Sequence, residues 1–209
     1  MTLVKVCGIT SVEDALACAD MGADMLGFVF AESPRRANAS IVKGIVEALE
    51  GRVGTVGVFT EESDEVFKIL DECRLDYAQL HGGQSEEFVS KIGAERVIRV
   101  ARIKDEGSVD ALGEFNSAAF YLLDTYKKGQ AGGTGETFDW DLAVRAKRLG
   151  KLIILSGGLK PENVGDAIRA VRPYAIDVSS GVEACPGKKD LSKVKELIKN
   201  VREADDIAG

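Results

Sequence analysis

The chain has 209 residues, of which 45% are hydrophobic and 29% are charged, and its formal net charge is −7 at pH 7. This length suits one well-buried core and is short for two full domains, so we expect a compact single domain over residues 1–209. An acidic surface repels nucleic acid and anionic membrane, which argues against both as main partners.

Apolar runs and cysteine spacing further limit the class of protein to which the chain can belong. No apolar run approaches the roughly 18 residues of a membrane span, and the first residues lack the pattern of a signal peptide. The four cysteines form no Cys-x-x-Cys pair, and His81 is the single histidine, so no metal site is expected. We therefore expect a cytoplasmic protein with reduced thiols.

Short apolar runs alternate along the chain with amphipathic stretches of about a dozen residues. The runs predict strands at Leu3–Cys7, Met25–Phe30, Val53–Phe59, Tyr77–Leu80, Val97–Ala101, Phe120–Asp124, Leu152–Leu155 and Ala175–Val178. Helices are expected to begin near Val12, Ile41, Ser63, Ser85, Ser108, Asp139, Pro161 and Leu191. Eight strand–helix units favour an α/β fold closed into a (β/α)₈ TIM barrel. An open doubly wound sheet, which usually has fewer strands, is the alternative.

Two residues at predicted strand ends can carry acid–base chemistry, because TIM-barrel sites lie at the C-terminal ends of the strands. Cys7 ends the first strand, and it is either a small buried hydrophobe or a reactive thiol. Asp124 ends the sixth strand and should point to the same side as Leu122. A carboxyl near apolar walls can have a raised pKa and act as a general acid, although Asp124 could equally cap the next loop.

Glycine-rich turns follow the seventh and eighth strands. They contain Gly157 and Gly158 in one loop, and Ser179, Ser180 and Gly181 in the other. These loops are a frequent phosphate site in barrels, since backbone N–H groups and a helix N-terminus converge there. Ordinary tight turns are the alternative, but two such loops at adjacent strand ends favour phosphate binding.

Three further features follow strand ends. The loop 30–40 carries Arg35 and Arg36, and an arginine there could bind an anionic substrate group. His81 could be catalytic, stacking or merely structural. The segment 125–140 holds four glycines between strand six and its helix, so we interpret it as a lid or substrate clamp, with a flexible linker as the alternative.

Side chains alternate between the two faces of a strand, and this alternation (strand parity) makes a separate prediction about a buried charge. Lys5 shares a face with Cys7 on strand one, and Asp177 shares a face with Ser179 on strand eight. Strands one and eight are neighbours in a closed barrel, and a charge buried there needs a partner. We expect an inward ion pair between Lys5 and Asp177.

Ten motifs occur in the order expected of one family. They are KVCGIT (5–10), SPR (33–35), VGVF (56–59), QLHG (79–82), LLD (122–124), GGTG (132–135), FDW (138–140), LSGGLKPENV (155–164), DVSSGVE (177–183) and PGKKD (186–190). The chain resembles phosphoribosylanthranilate isomerase over nearly its whole length. The resemblance implies a (β/α)₈ barrel in tryptophan biosynthesis. It also implies a cofactor-free Amadori rearrangement of N-(5-phosphoribosyl)anthranilate to 1-(o-carboxyphenylamino)-1-deoxyribulose 5-phosphate.

The resemblance also implies residue roles. The family's general base matches Cys7 and its general acid matches Asp124, while Arg35, rather than Arg36, is expected near the anthranilate carboxylate. The two glycine-rich loops match phosphate-holding segments, and His81 matches a position lining the site. A thiolate base needs a lowered pKa, which the helix N-terminus after Cys7 could supply. A bell-shaped pH profile is expected, with an acidic limb from the thiol and a basic limb from the carboxyl.

Two alternatives stay open at this point. One is another sugar-phosphate isomerase or an indole-pathway lyase, which would need a different acid–base pair. The other is a non-catalytic phosphometabolite-binding barrel, which would have no use for Cys7 together with Asp124. In each case the partner is a phosphorylated small molecule, and the chain is expected to be a monomer or a homodimer.

Overall fold

A computed structural model describes residues 1–114, 118–125 and 139–208 of the chain. Residues 126–138 of the expected lid or linker lie outside the described residues, together with the GGTG motif. The strands of the barrel are β1 (Leu3–Cys7), β2 (Met25–Val29), β3 (Gly54–Phe59), β4 (Tyr77–Leu80), β5 (Val97–Ile103), β6 (Phe120–Thr125), β7 (Leu152–Leu155) and β8 (Ala175–Val178).

A helix follows each barrel strand in the described part of the chain. The helices are α1 (Val12–Asp20), α2 (Ala39–Leu49), α3 (Asp64–Glu72), α4 (Glu86–Ile92), α5 (Glu106–Asp110), α6 (Trp140–Lys147), α7 (Pro161–Val171) and α8 (Leu191–Ala208). A short antiparallel hairpin of β9 (Glu183–Cys185) and β10 (Lys188–Lys189) lies between β8 and α8. Of these described helices, none is long and apolar enough to cross a membrane.

The sheet closes on itself. Its parallel strands pair in chain order, and β8 returns to β1 with Leu3 opposite Ala175 and Lys5 opposite Asp177. The predicted (β/α)₈ barrel is confirmed, and the open doubly wound alternative is wrong because an open sheet would leave β1 and β8 as unpaired edges.

Apolar side chains fill two regions separated by the strands. Inside the barrel, Met25, Val56, Ile98, Leu122, Ile154 and Ala175 form a small buried cluster. A larger cluster packs the outer faces of the strands against the helices, with members such as Val4, Leu26 and Ile176. Because successive strand residues point to opposite faces, each strand supplies both regions. The inner cluster ends below the C-terminal mouth, where the inward residues become polar.

Helix starts are set by side-chain caps. Ser11, Ser85 and Asp139 accept backbone N–H groups at the starts of α1, α4 and α6. Two predicted starts are wrong by two residues. Asn38 caps α2, so this helix begins at Ala39 rather than near Ile41, and Asp105 caps α5, which therefore begins at Glu106 rather than near Ser108.

Candidate active site

A cavity of about 150 Å³ opens at the C-terminal mouth of the barrel. It brings together every site residue predicted from the sequence, namely Cys7, Arg35, His81, Asp124, Gly157, Gly158, Ser179, Ser180 and Gly181. Residues from β1, β2, β3, β4, β6, β7, β8 and the loops after them meet at this point. Arg36 lies instead beside a separate surface depression between the loop after β2 and α3.

Cys7 lies at the end of β1 with 7% of its surface exposed. Burial raises the pKa of its thiol, and the Asp177 carboxylate raises it further, whereas the ammonium groups of Lys5 and Lys189 lower it. The net pKa is above the ordinary cysteine value. The lowered pKa expected from the sequence is therefore wrong for the free protein, because desolvation of the thiolate is the largest effect.

Asp124 ends the inward face of β6, where 6% of its surface is exposed. Burial raises the pKa of its carboxyl to about 6, and the nearby Asp177 carboxylate also raises it. The backbone N–H of Thr125 donates to its Oδ1 at 2.9 Å and opposes the shift, as does the charge of Arg102. The predicted raised pKa is confirmed, and Asp124 is half-protonated near pH 6.

His81 follows β4 and reaches toward Asp124, with 4.0 Å between its Nε2 and the carboxylate Oδ2. Burial and the charge of Arg102 lower the pKa of His81 to about 4. Its imidazole is therefore neutral at pH 7. Among the described residues, no hydrogen-bond partner meets its buried Nε2, which leaves this nitrogen available to a ligand in the cavity.

The floor of the cavity holds the expected ion pair. The Lys5 ammonium donates to Asp177 Oδ1 at 2.7 Å, and the Ser156 hydroxyl donates to Asp177 Oδ2 at 3.2 Å. Lys5 is fully buried, and 7% of Asp177 is exposed. The prediction made from strand parity is confirmed.

The two glycine-rich loops line the side of the mouth nearest β7 and β8. Gly157 and Gly158 adopt left-handed backbone conformations, with φ of 83° and 67°, which favour glycine. A Cβ built on Gly181 would lie 2.0 Å from the carbonyl oxygen of Leu159, so the loops touch where a side chain would separate them. The first turn of α7 follows directly at Pro161. Close-packed backbone beside a helix N-terminus suits an anion such as phosphate.

Comparison with known proteins identifies the family. The family model of N-(5'phosphoribosyl)anthranilate (PRA) isomerase matches residues 4–200. The N-(5'-phosphoribosyl)anthranilate isomerase of Geotalea uraniireducens is 50% identical over 204 residues, covering 97% of this chain and 99% of that protein. The chain belongs to the N-(5'-phosphoribosyl)anthranilate isomerase family.

Solved structures of family members share this fold. The phosphoribosyl anthranilate isomerase of Thermotoga maritima superposes with a TM-score of 0.90 at 42% identity, covering 97% of this chain and 100% of that chain. A further isomerase structure of the family, 40% identical with a TM-score of 0.87 over 97% of this chain and 100% of that one, holds reduced 1-(o-carboxyphenylamino)-1-deoxyribulose 5-phosphate.

Arg35, which the family resemblance places near the substrate carboxylate, is held by an acidic partner. Its Nε donates to Glu183 Oε1 at 2.8 Å, and its Nη2 donates to Glu183 Oε2 at 2.7 Å. Burial would raise the pKa of Glu183, but its contacts with Arg35 and Lys189 lower it overall. Glu183 fixes one edge of the planar guanidinium. Within the part of the chain that the structure describes, the Nη1 side is left for a ligand.

Lys189 connects Glu183 and Arg35 to the rim of the cavity. Its fully buried ammonium donates to the carbonyl oxygen of Cys7 at 2.6 Å, to Glu183 Oε1 at 3.0 Å and to the Ser179 carbonyl at 3.4 Å. Its backbone N–H donates to Asp14, which is itself buried. One lysine of the β9–β10 hairpin thereby joins the ends of β1 and β8.

Sequence reasoning missed three residues that shape this site. Glu183 and Lys189 lie in the motifs DVSSGVE and PGKKD, which marked the family but were given no role. Gln79 lines the cavity, is 3% exposed, and has an amide oxygen without a hydrogen-bond partner among the described residues. Strand parity would have found Gln79, because it shares the inward face of β4 with His81.

Proposed function

We propose that the chain isomerises N-(5-phosphoribosyl)anthranilate to 1-(o-carboxyphenylamino)-1-deoxyribulose 5-phosphate in tryptophan biosynthesis, with Asp124 as general acid and Cys7 as general base. The observation that carries the proposal is that an acid, a thiol and two glycine-rich loops line one cavity. Family membership supports the reaction, and the product analogue bound to a relative supports a phosphorylated substrate of this class. The chain is expected to act as a monomer or a homodimer and without a cofactor.

The substrate would bind with its phosphate at the loops of Gly157, Gly158 and Ser179–Gly181. Its ribose would then lie between Cys7 and Asp124, and its anthranilate ring would extend toward β2 and β4. There the side chains of Val29 and Val58 line the cavity, and the Nη1 side of Arg35 would meet the carboxylate. His81 and Gln79 offer an unpaired ring nitrogen and amide oxygen to the sugar hydroxyls.

Asp124 in its protonated form would begin the reaction by donating its proton to the ribose ring oxygen. The C1–O bond breaks and leaves a protonated imine between C1 and the anthranilate nitrogen. The Cys7 thiolate would then remove the proton from C2, and the electron pair of that C–H bond neutralises the imine to give an enolamine. Proton return to C1, with loss of the C2 hydroxyl proton, completes the ketone. The two groups act on different atoms, which suits their positions on separate strands of the rim.

The test follows loss of the fluorescent substrate on addition of purified protein. General acid and base groups typically contribute about 10²- to 10⁴-fold each, so Cys7→Ala and Asp124→Asn should each lower kcat by about that factor. Cys185→Ala is the matched control, because this thiol is exposed and lies outside the cavity lining.

Each outcome decides a different part of the proposal. Near wild-type turnover in Cys7→Ala would refute the base assignment, and unchanged kcat in Asp124→Asn would refute the acid. Binding of the substrate without turnover by the unmodified protein would favour the phosphometabolite-binding alternative.

A further inference from the structure

The mechanism above gives no role to the buried charge of Lys5. Lys5 is fully buried inside the barrel, and burial alone would lower the pKa of its ammonium. The Asp177 carboxylate at 2.7 Å and the Cys7 sulfur together outweigh burial and raise this pKa, so Lys5 is charged at the cavity floor. A barrel interior is usually filled by apolar side chains, and a buried ion pair is weak evidence for added stability. A role in the chemistry of the cavity is the alternative to a purely structural one.

Gly27 brings this charge next to the thiol. Gly27 on β2 is the register partner of Cys7 on β1. A Cβ built on Gly27 would lie 2.7 Å from the Cys7 sulfur and 3.1 Å from the Lys5 Nζ. Both atoms therefore project over the same space, which is open because residue 27 has no side chain. The thiol and the ammonium are neighbours in that space.

We propose that Lys5 is a positioning residue for Cys7, and that its ammonium, placed over Gly27 between the Asp177 carboxylate and the Cys7 sulfur, is the counter-charge of the reactive thiolate. This inference rests on the proposed function, in which Cys7 acts as a thiolate. Lys5 does not touch the reacting carbon in this scheme, and it acts through the sulfur.

The other charges around Cys7 are less suited to this task. Asp177 on β8 raises the pKa of the thiol by its negative charge. Lys189 on β10 lowers that pKa, but its ammonium is already shared among the Cys7 carbonyl, the Ser179 carbonyl and Glu183. The guanidinium of Arg35, from the loop after β2, is already paired with the Glu183 carboxylate. Among the charged groups around Cys7, Lys5 has the largest lowering effect on the pKa of the thiol.

The test measures the ionisation of Cys7 directly, in the full chain carrying Cys185→Ser to remove the exposed thiol. The rate of iodoacetamide alkylation at Cys7 is followed against pH, with the modified peptide identified by mass spectrometry. We expect Lys5→Met to raise the midpoint of this titration by about one pH unit or more, which is about a tenfold loss of thiolate at a fixed pH below the midpoint. An unchanged midpoint in a folded Lys5→Met protein would overturn the proposal.

Gly27→Ala provides a second variant if Lys5→Met fails to fold with Asp177 unpaired. It keeps Lys5 and Asp177, its backbone conformation is open to alanine, and its methyl group would displace the sulfur from the ammonium. We expect its midpoint to rise as well. Gly44→Ala, on α2 with no atom within 4 Å of the added methyl, should leave the midpoint unchanged. A Gly27→Ala midpoint equal to that of Gly44→Ala would contradict the proposal.

Two readouts separate this inference from its alternatives. A purely structural Lys5 would lower the melting temperature of Lys5→Met and leave the alkylation midpoint in place. The alkylation titration needs no turnover, so it tests the coupling of Lys5 to Cys7 even if Cys7→Ala retains activity and the proposed base role fails.

Discussion

Burial shifts both Cys7 and Asp124 toward their uncharged forms. The pKa of Asp124 rises to about 6, and the pKa of Cys7 rises above its ordinary value. The proposed reaction needs Asp124 protonated and Cys7 ionised at the same time. Because the acid has the lower pKa of the two, only a minor fraction of the free protein carries both groups in the required form at any pH. The charge of Lys5 beside the sulfur increases this fraction.

The order of these two pKa values predicts the shape of the pH profile of kcat/KM. Below about pH 6 Asp124 is protonated, and the rate rises with the thiolate fraction. Between the two pKa values the gain in thiolate cancels the loss of protonated Asp124, which gives a plateau. Above the pKa of Cys7 the thiolate fraction no longer rises, and the rate falls. We expect the acidic limb near pH 6 from Asp124 and the basic limb from Cys7, which reverses the assignment made from the sequence.

Asp124→Asn provides the check on this assignment. With the carboxyl removed, the residual kcat/KM should rise through pH 6 and level off at the pKa of Cys7, without a basic limb. The measurement is the residual rate of substrate loss from acidic to alkaline pH in both proteins. If the pH profile of Asp124→Asn kept both its acidic and its basic limb, groups other than Asp124 and Cys7 would be responsible for them.

At the scale of the elements, the sequence was most informative where the chain is regular. Predicted strands β1, β4, β7 and β8 have the observed bounds, because each is an apolar run that ends at a turn signal. The Lys5–Asp177 pair followed from parity alone, although 172 residues separate its members, since register in a closed barrel fixes which inward residues are neighbours.

The pairing and contacts of irregular segments could not be predicted from the sequence in this way. The β9–β10 hairpin has strands of three and two residues with no alternating pattern, so nothing in the sequence marks it as paired. The contact of Arg35 with Glu183 joins two such segments, and no register rule relates them. The pKa of Cys7 was predicted in the wrong direction for a similar reason. The helix N-terminus is visible in the sequence, whereas the depth of burial depends on the assembled rim.

The contact between the loops after β7 and β8 supplies a prediction at the element scale. In Gly181→Ala the new methyl would meet the backbone carbonyl of Leu159 at 2.0 Å, so the two proposed phosphate loops must move apart. Misplacing a bound group by about 1 Å can reduce the rate about 10²-fold, and we expect kcat/KM to fall by about that factor. Competitive inhibition by inorganic phosphate should weaken in parallel.

Gly83→Ala is the matched control for this prediction. Gly83 lies in the loop after β4, and a Cβ there has no heavy atom within 4 Å. Its kcat/KM and its phosphate inhibition should stay close to those of the unmodified protein. Equal behaviour of the two alanine variants would contradict a phosphate site at Gly181.

At the scale of the whole molecule, the two ends of the chain meet and stabilise the closure of the barrel. The backbone N–H and the hydroxyl of Thr2 both donate to the Asp205 carboxylate at 2.7 Å. Arg202, one turn earlier on α8, donates to the Thr2 carbonyl at 2.7 Å and to Asp24 at 3.1 Å. Helix α8 thus holds Thr2, the residue before β1, in place beside the seam, which is the line where β1 pairs with β8. We expect this contact to stabilise the closed barrel in addition to the strand pairing.

Asp205→Ala tests that contribution. The substitution leaves the N–H and hydroxyl of Thr2, a residue that is 4% exposed, without their acceptor, and an unsatisfied buried polar group costs about 1–3 kcal/mol. For a chain of this size each kcal/mol lowers Tm by about 2–4 °C, so a loss of roughly 5 °C is expected in a thermal melt. Asp206→Ala changes the same residue type at the next, exposed position of α8 and should alter stability by about 0.5 kcal/mol or less. Because both variants remove one negative charge from the same helix end, a Tm loss that is equal in the two would assign the effect to charge and not to the seam.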